Sequence, residues 1–137
     1  MAFTQNIYVA ADTIVIAENQ VLLIERKNEP FKGMWAFPGG FVDENEDLAN
    51  AAARELEEET CVKVNPDSLI QVGAFGKPGR DPRFHTVSIV FCVELSERPQ
   101  AQAADDAAKT GWFALDDLPE IAFDHGEILR DFLESRV

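Results

Sequence analysis

Residues 39–60 read GGFVDENEDLANAAARELEEET and combine a pair of glycines, eight acidic side chains and an alanine-rich run. The paired glycines predict a tight loop, and the segment from about Glu46 to Thr60 predicts a helix because alanine is the strongest helix former. Asn45 suits the N-cap position, while Glu46 and Asp47 suit the positive end of the helix dipole. The stretch therefore predicts a loop that leads directly into an acidic helix.

Apolar segments on both sides predict the sheet on which this helix packs. The runs VAADTIVIA and VLLIER predict a hairpin, and LIQVGAFG, HTVSIVFCVEL and GWFAL predict later strands. A short strand is expected from Met34 to Phe37, and a last helix near His125 to Ser135. Strands mixed with two helices indicate an α/β or α+β fold with helices against a mixed sheet. At 137 residues the length predicts a single domain over residues 1–137.

The charge balance limits the partners that the chain is expected to bind. Twelve basic residues against 25 acidic ones give a net charge of −13 with histidine neutral, which opposes binding to nucleic acid or to an anionic membrane. Neither a leader sequence nor an apolar run of ~18 residues is apparent, so no membrane span is expected. Cys61 and Cys92 show no metal-site spacing and are interpreted as reduced thiols, which indicates a cytoplasmic protein.

Three glutamates of the central helix are the first candidates for chemistry. Glu55, Glu58 and Glu59 stand at positions i, i+3 and i+4, so they share one helix face. Like charges at this spacing repel each other by a few tenths of a kcal/mol. Carboxylate oxygens are ligands that Mg²⁺ prefers, so a bound cation would offset the repulsion. The alternative is a solvated acidic face with no ligand.

The spacing of residues around these glutamates distinguishes the two interpretations. The pattern runs Gly40, five residues, Glu46, seven residues, then RELEEETCV from Arg54 to Val62. This arrangement resembles the signature of the Nudix hydrolase family, G-x5-E-x7-R-E-U-x-E-E-x-G-U, in which U is aliphatic. The match departs at Cys61, where the family usually has glycine. A left-handed residue is common at the end of a helix, so cysteine there is expected to cost about 1 kcal/mol.

The resemblance implies a fold and a set of roles. The implied fold is an α/β/α sandwich, and the implied cofactor is Mg²⁺, with Mn²⁺ as the alternative. The implied metal ligands are Glu55, Glu58, Glu59 and the carbonyl of Gly40. Glu46 would anchor Arg54, which would orient Glu55. Glu55 is the first candidate for the general base, and Glu97, Asp105 and Asp106 on a later loop are the alternatives.

The flanking segments resemble one subgroup of the family, the ADP-ribose pyrophosphatases. The similar segments are LLIERKNEPFKGMWAFPGGFVDE, GKPGRDPRFHTVSIVF and FDHGEIL, and Pro78 lies 16 residues past Val62. The resemblance implies hydrolysis of the nucleoside diphosphate substrate ADP-ribose to AMP and ribose 5-phosphate by a homodimer. The alternatives are a related substrate, such as NADH, a nucleotide sugar or an oxidised nucleoside triphosphate, and a non-catalytic sensor of ADP-ribose.

Two arginines in a loop of glycine and proline are candidates for substrate binding. Arg80 and Arg83 could present guanidinium groups to a phosphate or ribose, and Asp81 could hold one of them in place. The alternative is that the three residues only brace the loop through salt bridges. Arg26 is a further phosphate or adenine contact by resemblance. Adenine requires a flat apolar partner, for which Phe75, Phe31 and Trp35 are candidates.

Overall fold

The computed structural model describes residues 6–104 and 107–136, and within them it contains seven strands and two α-helices. The strands are β1 Tyr8–Ala17, β2 Gln20–Arg26, β3 Trp35–Ala36, β4 Gly39–Phe41, β5 Ile70–Phe75, β6 Thr86–Leu95 and β7 Ala107–Ala114. The helices are α1 Leu48–Thr60 and α2 His125–Ser135. A 3₁₀ turn at Pro66–Ser68 precedes β5.

The described strands form one mixed sheet in the order β3-β2-β1-β6-β5, with β4 paired to β1 and β7 paired to β2. β1 and β6 run parallel along the whole of both strands, and the other pairs are antiparallel. Glu18 and Asn19 join β1 to β2 with φ values of 50° and 61°, as a primed hairpin turn requires. The predicted mixed sheet and hairpin are confirmed.

Alternate residues of β1 face different helices, which places α1 and α2 on opposite sides of the sheet. Ile14 and Ile16 pack with Ile128 of α2 in one core cluster. Val15, between them, packs with Leu56 of α1 in another. Because successive side chains of a strand point to opposite faces, this alternation confirms the expected α/β/α sandwich.

The start of α1 differs from the sequence prediction. α1 begins at Leu48, and Asp47 caps it by accepting a hydrogen bond from the N–H of Ala49 at 3.2 Å. Asn45 has a φ of 63° and belongs to the preceding loop, so its predicted role as N-cap is wrong. The other end agrees with expectation, because Cys61 has a φ of 62° and its N–H donates to the Glu57 carbonyl at 2.8 Å.

The segment predicted as a tight loop contains the short strand β4, which occupies the edge of β1. Gly39 to Phe41 pair with Ala10 to Asp12, and a Cβ built at Gly39 would overlap Asp12. β1 pairs with β2 only at Ile16 and Ala17. The two strands therefore diverge, and the site described below lies between them. In the described ranges, neither helix has the length and apolar character of a membrane span.

Candidate active site

A cavity of about 400 Å³ opens where β1 and β2 diverge, within the size range of small-molecule sites. Of the predicted site residues, those lining it are Arg26, Gly40, Glu55, Glu59, Arg80, Asp81 and Arg83. Glu46, Arg54, Glu58 and Phe75 do not line it. The structure thus brings together residues from β2, β4, α1 and the loop that precedes β6.

Two glutamates of α1 meet the glycine pair at the cavity wall. Glu59 accepts a hydrogen bond from the N–H of Gly39 at 2.8 Å, and the residue is only 6% exposed. A Cβ built at Gly40 would overlap the carboxylate of Glu55, so only glycine allows this approach. Both carboxylates are therefore held against the β4 backbone.

Glu58 is placed differently from the other two glutamates. Its side chain is 42% exposed and accepts from Arg54 NH1 at 3.2 Å. Within residues 6–104 and 107–136, no three His, Cys, Asp or Glu side chains form a group that could hold a metal ion. Of the three predicted carboxylate ligands, Glu55 and Glu59 line the cavity and Glu58 does not.

Arg54 connects the loop before α1 to the glutamates of the helix. Glu46 accepts two hydrogen bonds from its guanidinium, at 2.7 Å from Nε and 2.9 Å from NH2. Its third nitrogen, NH1, donates to Glu55 at 2.8 Å. The hydrogen bonds from Arg54 lower the pKa of Glu46 to about 2. These contacts match the arrangement that the sequence resemblance implied.

Arg80 lines the cavity but is also part of a brace within the protein. Its guanidinium donates from Nε and NH2 to Asp124 at 2.9 and 2.7 Å, and from NH1 to Ser88 at 2.9 Å. Its side chain is only 5% exposed. The bracing alternative therefore describes the observed contacts of Arg80.

Arg83 is the more exposed arginine of the same loop. Its side chain is 36% exposed and that of Asp81, with which it pairs, is 3% exposed. Nε and NH2 of Arg83 donate to the two carboxylate oxygens at 3.1 and 2.9 Å. Burial alone would raise the pKa of Asp81, but the hydrogen bonds from Arg83 outweigh it and the pKa is lowered. Asp81 thus holds Arg83 in place, as expected.

Sequence reasoning missed two buried residues that line the cavity, Asp12 and His125. His125 Nε2 lies 3.8 Å from Asp12 Oδ2, and His125 Nδ1 accepts from the Phe37 N–H at 3.1 Å. Burial raises the pKa of Asp12 to about 7 and lowers that of His125 to about 3. The imidazole is therefore neutral at pH 7, and the contact is not an ion pair. For Asp12, the available signal in the sequence was an acidic residue inside a mostly apolar strand.

The aromatic residues are distributed differently from the prediction. Phe75 packs against the core cluster that includes Ile14, and Trp35 packs edge-on against Phe113. Phe31 packs against Phe123, with ring centroids 4.8 Å apart. None of the three predicted rings lines the cavity, but Phe123 does.

Phe123 is the cavity ring that sequence reasoning did not select. The guanidinium carbon of Arg26 lies 5.0 Å from its ring centroid. Its backbone φ is 55°, a strained conformation for a bulky residue and one that clusters at ligand sites. Of the alternative bases, Glu97 is exposed and does not line the cavity, while Asp105 and Asp106 lie outside the described residues.

This chain is similar to a known protein family and to solved structures. The model of the NUDIX domain matches residues 7–132. The chain belongs to the Nudix family. An ADP-ribose pyrophosphatase of Methanocaldococcus jannaschii is 44% identical over 125 residues, which are 91% of this chain and 72% of that protein.

Solved Nudix structures share the fold over almost the whole chain. A bifunctional NMN adenylyltransferase/ADP ribose pyrophosphatase of Francisella tularensis, complexed with AMP and a Mn ion, is 32% identical with a TM-score of 0.87. The match covers 98% of this chain and 43% of the Francisella chain. The NUDIX domain of Shewanella oneidensis NrtR, complexed with ADP ribose, is 27% identical with a TM-score of 0.88. This match covers 97% of this chain and 90% of the NrtR domain chain.

Proposed function

We propose that this chain hydrolyses the pyrophosphate bond of ADP-ribose and releases AMP and ribose 5-phosphate. The observation that carries the proposal is the convergence of Glu55 and Glu59 on the Gly39–Gly40 backbone within the cavity. Arg54 supports this convergence from outside the cavity. The name of the Methanocaldococcus relative supports ADP-ribose as the substrate.

Mg²⁺ is the proposed cofactor, with Mn²⁺ as the alternative. The donors at the site are oxygens from Glu55, Glu59 and Gly40, which suit a hard divalent cation. Glu58 completes the set on the family pattern, although its present partner is Arg54. A bound cation would neutralise charge on the pyrophosphate and lower the pKa of a water molecule. Glu55 is the proposed base, and its contact with Arg54 fixes its orientation.

Different residues that line the cavity suit different parts of the substrate. Phe123, with the Arg26 guanidinium beside its ring, offers a flat apolar surface for adenine. Arg83, which pairs with Asp81, also lines the cavity, where it would contact phosphate or ribose oxygens. Arg80, which is occupied by Asp124, would contribute positive potential.

The test is AMP release from ADP-ribose with Mg²⁺ present, in the wild type and in Glu59→Gln. Glutamine still offers an oxygen to the Gly39 N–H, so the variant is expected to fold while turnover falls by a factor of at least about 100. Glu57→Gln, on an exposed face of the same helix, is the matched control. If Glu59→Gln is as active as Glu57→Gln, the metal assignment is refuted. If another nucleotide is hydrolysed much faster than ADP-ribose, the substrate assignment is refuted.

A second candidate function is ADP-ribose binding without turnover. The likeness to the NUDIX domain of NrtR, complexed with ADP ribose, favours it. The test is titration calorimetry with ADP-ribose, followed by assay of the same sample for AMP. Tight binding with no AMP released would favour the sensor over the hydrolase.

The remaining proposals concern the state of the protein. We propose that residues 1–137 form one domain, that the chain acts as a homodimer and that it resides in the cytoplasm. Sedimentation velocity at several protein concentrations tests the dimer, and a single species of monomer mass would refute it. Fractionation of cells that express the full chain tests the compartment.

A further inference from the structure

Residues 37–40 carry the backbone on which the proposed reaction depends, and we refer to them as the glycine segment. This segment is attached to α1, because the Gly39 N–H donates a hydrogen bond to Glu59 at 2.8 Å. α2 lies on the opposite side of the sheet from α1, and its first residue, His125, contacts the segment at Phe37. The glycine segment is therefore attached to both helices.

His125 contacts Phe37 through a hydrogen bond and through its ring. Nδ1 of His125 accepts from the Phe37 N–H at 3.1 Å, and the two residues are only 5% and 2% exposed. The two rings stack with their centroids 4.5 Å apart and an interplanar angle of 13°. A buried N–H that loses its acceptor is costly. Removal of this imidazole is therefore expected to displace the Phe37 backbone.

The position of His125 is itself fixed by the residues that precede α2. The Ala122 N–H donates to the Trp35 carbonyl at 2.7 Å, and the Trp35 N–H donates to the Glu120 carbonyl at 3.3 Å. The N–H of His125 in turn donates to the Ala122 carbonyl at 3.2 Å. The start of α2 is thus bound to β3, which leads directly into the glycine segment. A support held in this way can fix a functional backbone accurately.

We propose that His125 is a positioning residue that holds the glycine segment in place for the reaction at Glu55 and Glu59. The next residue of the segment, Pro38, accepts from the Thr13 N–H at 3.0 Å. Successive residues of the segment are therefore attached to α2, to β1 and to α1. Loss of the first attachment would let the backbone beside the two glutamates shift. The inference rests on the proposed function, because the reaction that the segment supports is the proposed hydrolysis.

Direct action of His125 on the substrate is the alternative, since the residue lines the cavity. The two ring nitrogens favour the positioning role, because Nδ1 is bonded to Phe37 and Nε2 lies 3.8 Å from Asp12 Oδ2. A residue that acts through the backbone should affect kcat more than KM. Asparagine, which can place an oxygen where Nδ1 lies, should replace it. A residue that acts on the substrate would require the imidazole itself.

The first measurement is amide hydrogen exchange at Gly39 by NMR, with neither substrate nor metal added. His125→Leu removes the acceptor, whereas His125→Asn returns an oxygen. Ile128→Ala, at a buried residue of α2 that does not line the cavity, controls for a general loss of stability. We expect exchange at Gly39 to be at least about tenfold faster in His125→Leu than in Ile128→Ala, and within about threefold of the wild type in His125→Asn.

The second measurement is steady-state hydrolysis of ADP-ribose by the same variants. We expect kcat to fall about tenfold to a hundredfold in His125→Leu, with KM changed by less than about threefold. His125→Asn should recover most of the lost kcat, and Ile128→Ala should stay within about twofold of the wild type. If His125→Leu does not fold, His125→Gln takes its place, because its amide lies one carbon further from the backbone than that of asparagine.

Three results would overturn the positioning role. The first is exchange at Gly39 that is unchanged in the variant without the acceptor. The second is a kcat as low in His125→Asn as in His125→Leu, which would show that the imidazole acts on the substrate. The third is an equal effect of Ile128→Ala, which would indicate a general loss of stability. If the wild type does not hydrolyse ADP-ribose, the proposed function fails, and exchange at Gly39 still decides whether His125 holds the glycine segment.

Discussion

Glu46 and Arg54 form a bidentate pair in which both carboxylate oxygens of Glu46 accept hydrogen bonds, at 2.7 and 2.9 Å. Because the guanidinium group is planar, fixing two of its nitrogens also fixes the third. That third nitrogen contacts Glu55 at 2.8 Å. Glu46 therefore determines the position of a cavity carboxylate although it does not line the cavity.

Replacing Glu46 by glutamine should weaken this positioning. We expect kcat for ADP-ribose to fall by about tenfold to a hundredfold in Glu46→Gln, because small misplacements of catalytic groups have effects of this size. KM should change by less than about threefold, since Glu46 does not itself line the cavity. Steady-state kinetics beside Glu57→Gln measure this, and similar kcat values in the two variants would contradict the positioning role.

Arg80→Ala should destabilise the fold. The substitution leaves Asp124 without its bidentate partner, and breaking a buried pair generally costs about 3–5 kcal/mol. Asp124 is 25% exposed, so we expect a smaller loss of about 2–3 kcal/mol. Urea denaturation measures it. Arg98→Ala, which removes an exposed pair with Glu18, should change stability by less than about 1 kcal/mol, and an equal effect of both substitutions would count against the brace.

Cys61→Gly should stabilise the protein. Cys61 holds a left-handed conformation with a φ of 62°, which side chains disfavour by about 1–2 kcal/mol. Glycine removes that strain but increases the freedom of the unfolded chain, so we expect a net gain of about 0.5–1 kcal/mol. Cys61→Ala is the control because it retains a Cβ. A higher urea midpoint for alanine than for glycine would show that strain at this cap is not the cause.

His125→Asn should change the pH dependence of stability. The folded pKa of His125, about 3, lies below the ordinary 6.5 because the ring is buried, so its contribution is present above pH 6.5 and is lost as the pH falls towards 3. Asp12 acts oppositely: burial raises its pKa from 3.8 to about 7, and its contribution is lost as the pH rises through that range. The difference in the free energy of unfolding between the wild type and His125→Asn isolates the contribution of the histidine.

Asparagine can offer an oxygen to the Phe37 N–H in place of Nδ1, so the variant removes the titration and keeps the hydrogen bond. Between pH 6.5 and pH 4, the stability of the wild type relative to His125→Asn should fall by on the order of 3 kcal/mol. Urea denaturation at both pH values in the presence of a chelator measures this. Parallel pH profiles would rule out a neutral, buried histidine.

The hairpin, the two helices and the strands at β5 and β6 could be predicted because their apolar periodicity is local. β4 could not be predicted, because its backbone hydrogen bonds are made with the distant residues Ala10 to Asp12 and its two glycines give no strand signal. The N-cap was misplaced because Asn45 and Asp47 are both good caps, and only the φ of 63° at Asn45 excludes it.

The site was predictable to the extent that its residues lie in α1 and in the loop that precedes it. The contacts among Glu46, Arg54 and Glu55, which the family resemblance implied, are present. The partner of Arg80 could not be found, because Asp124 lies at the far end of the chain. The burial that shifts the pKa values of Asp12 and His125 could not be predicted either, because it depends on elements that only the fold brings together.

The parallel pairing of β1 with β6 also affects how the chain folds. Residues 8–17 find their neighbours at residues 86–95, so the central strand of the sheet cannot complete its hydrogen bonding until most of the polypeptide exists. Contacts between such distant segments raise the contact order, which slows folding towards milliseconds or longer. During synthesis one edge of this apolar strand stays open until β6 has emerged from the ribosome.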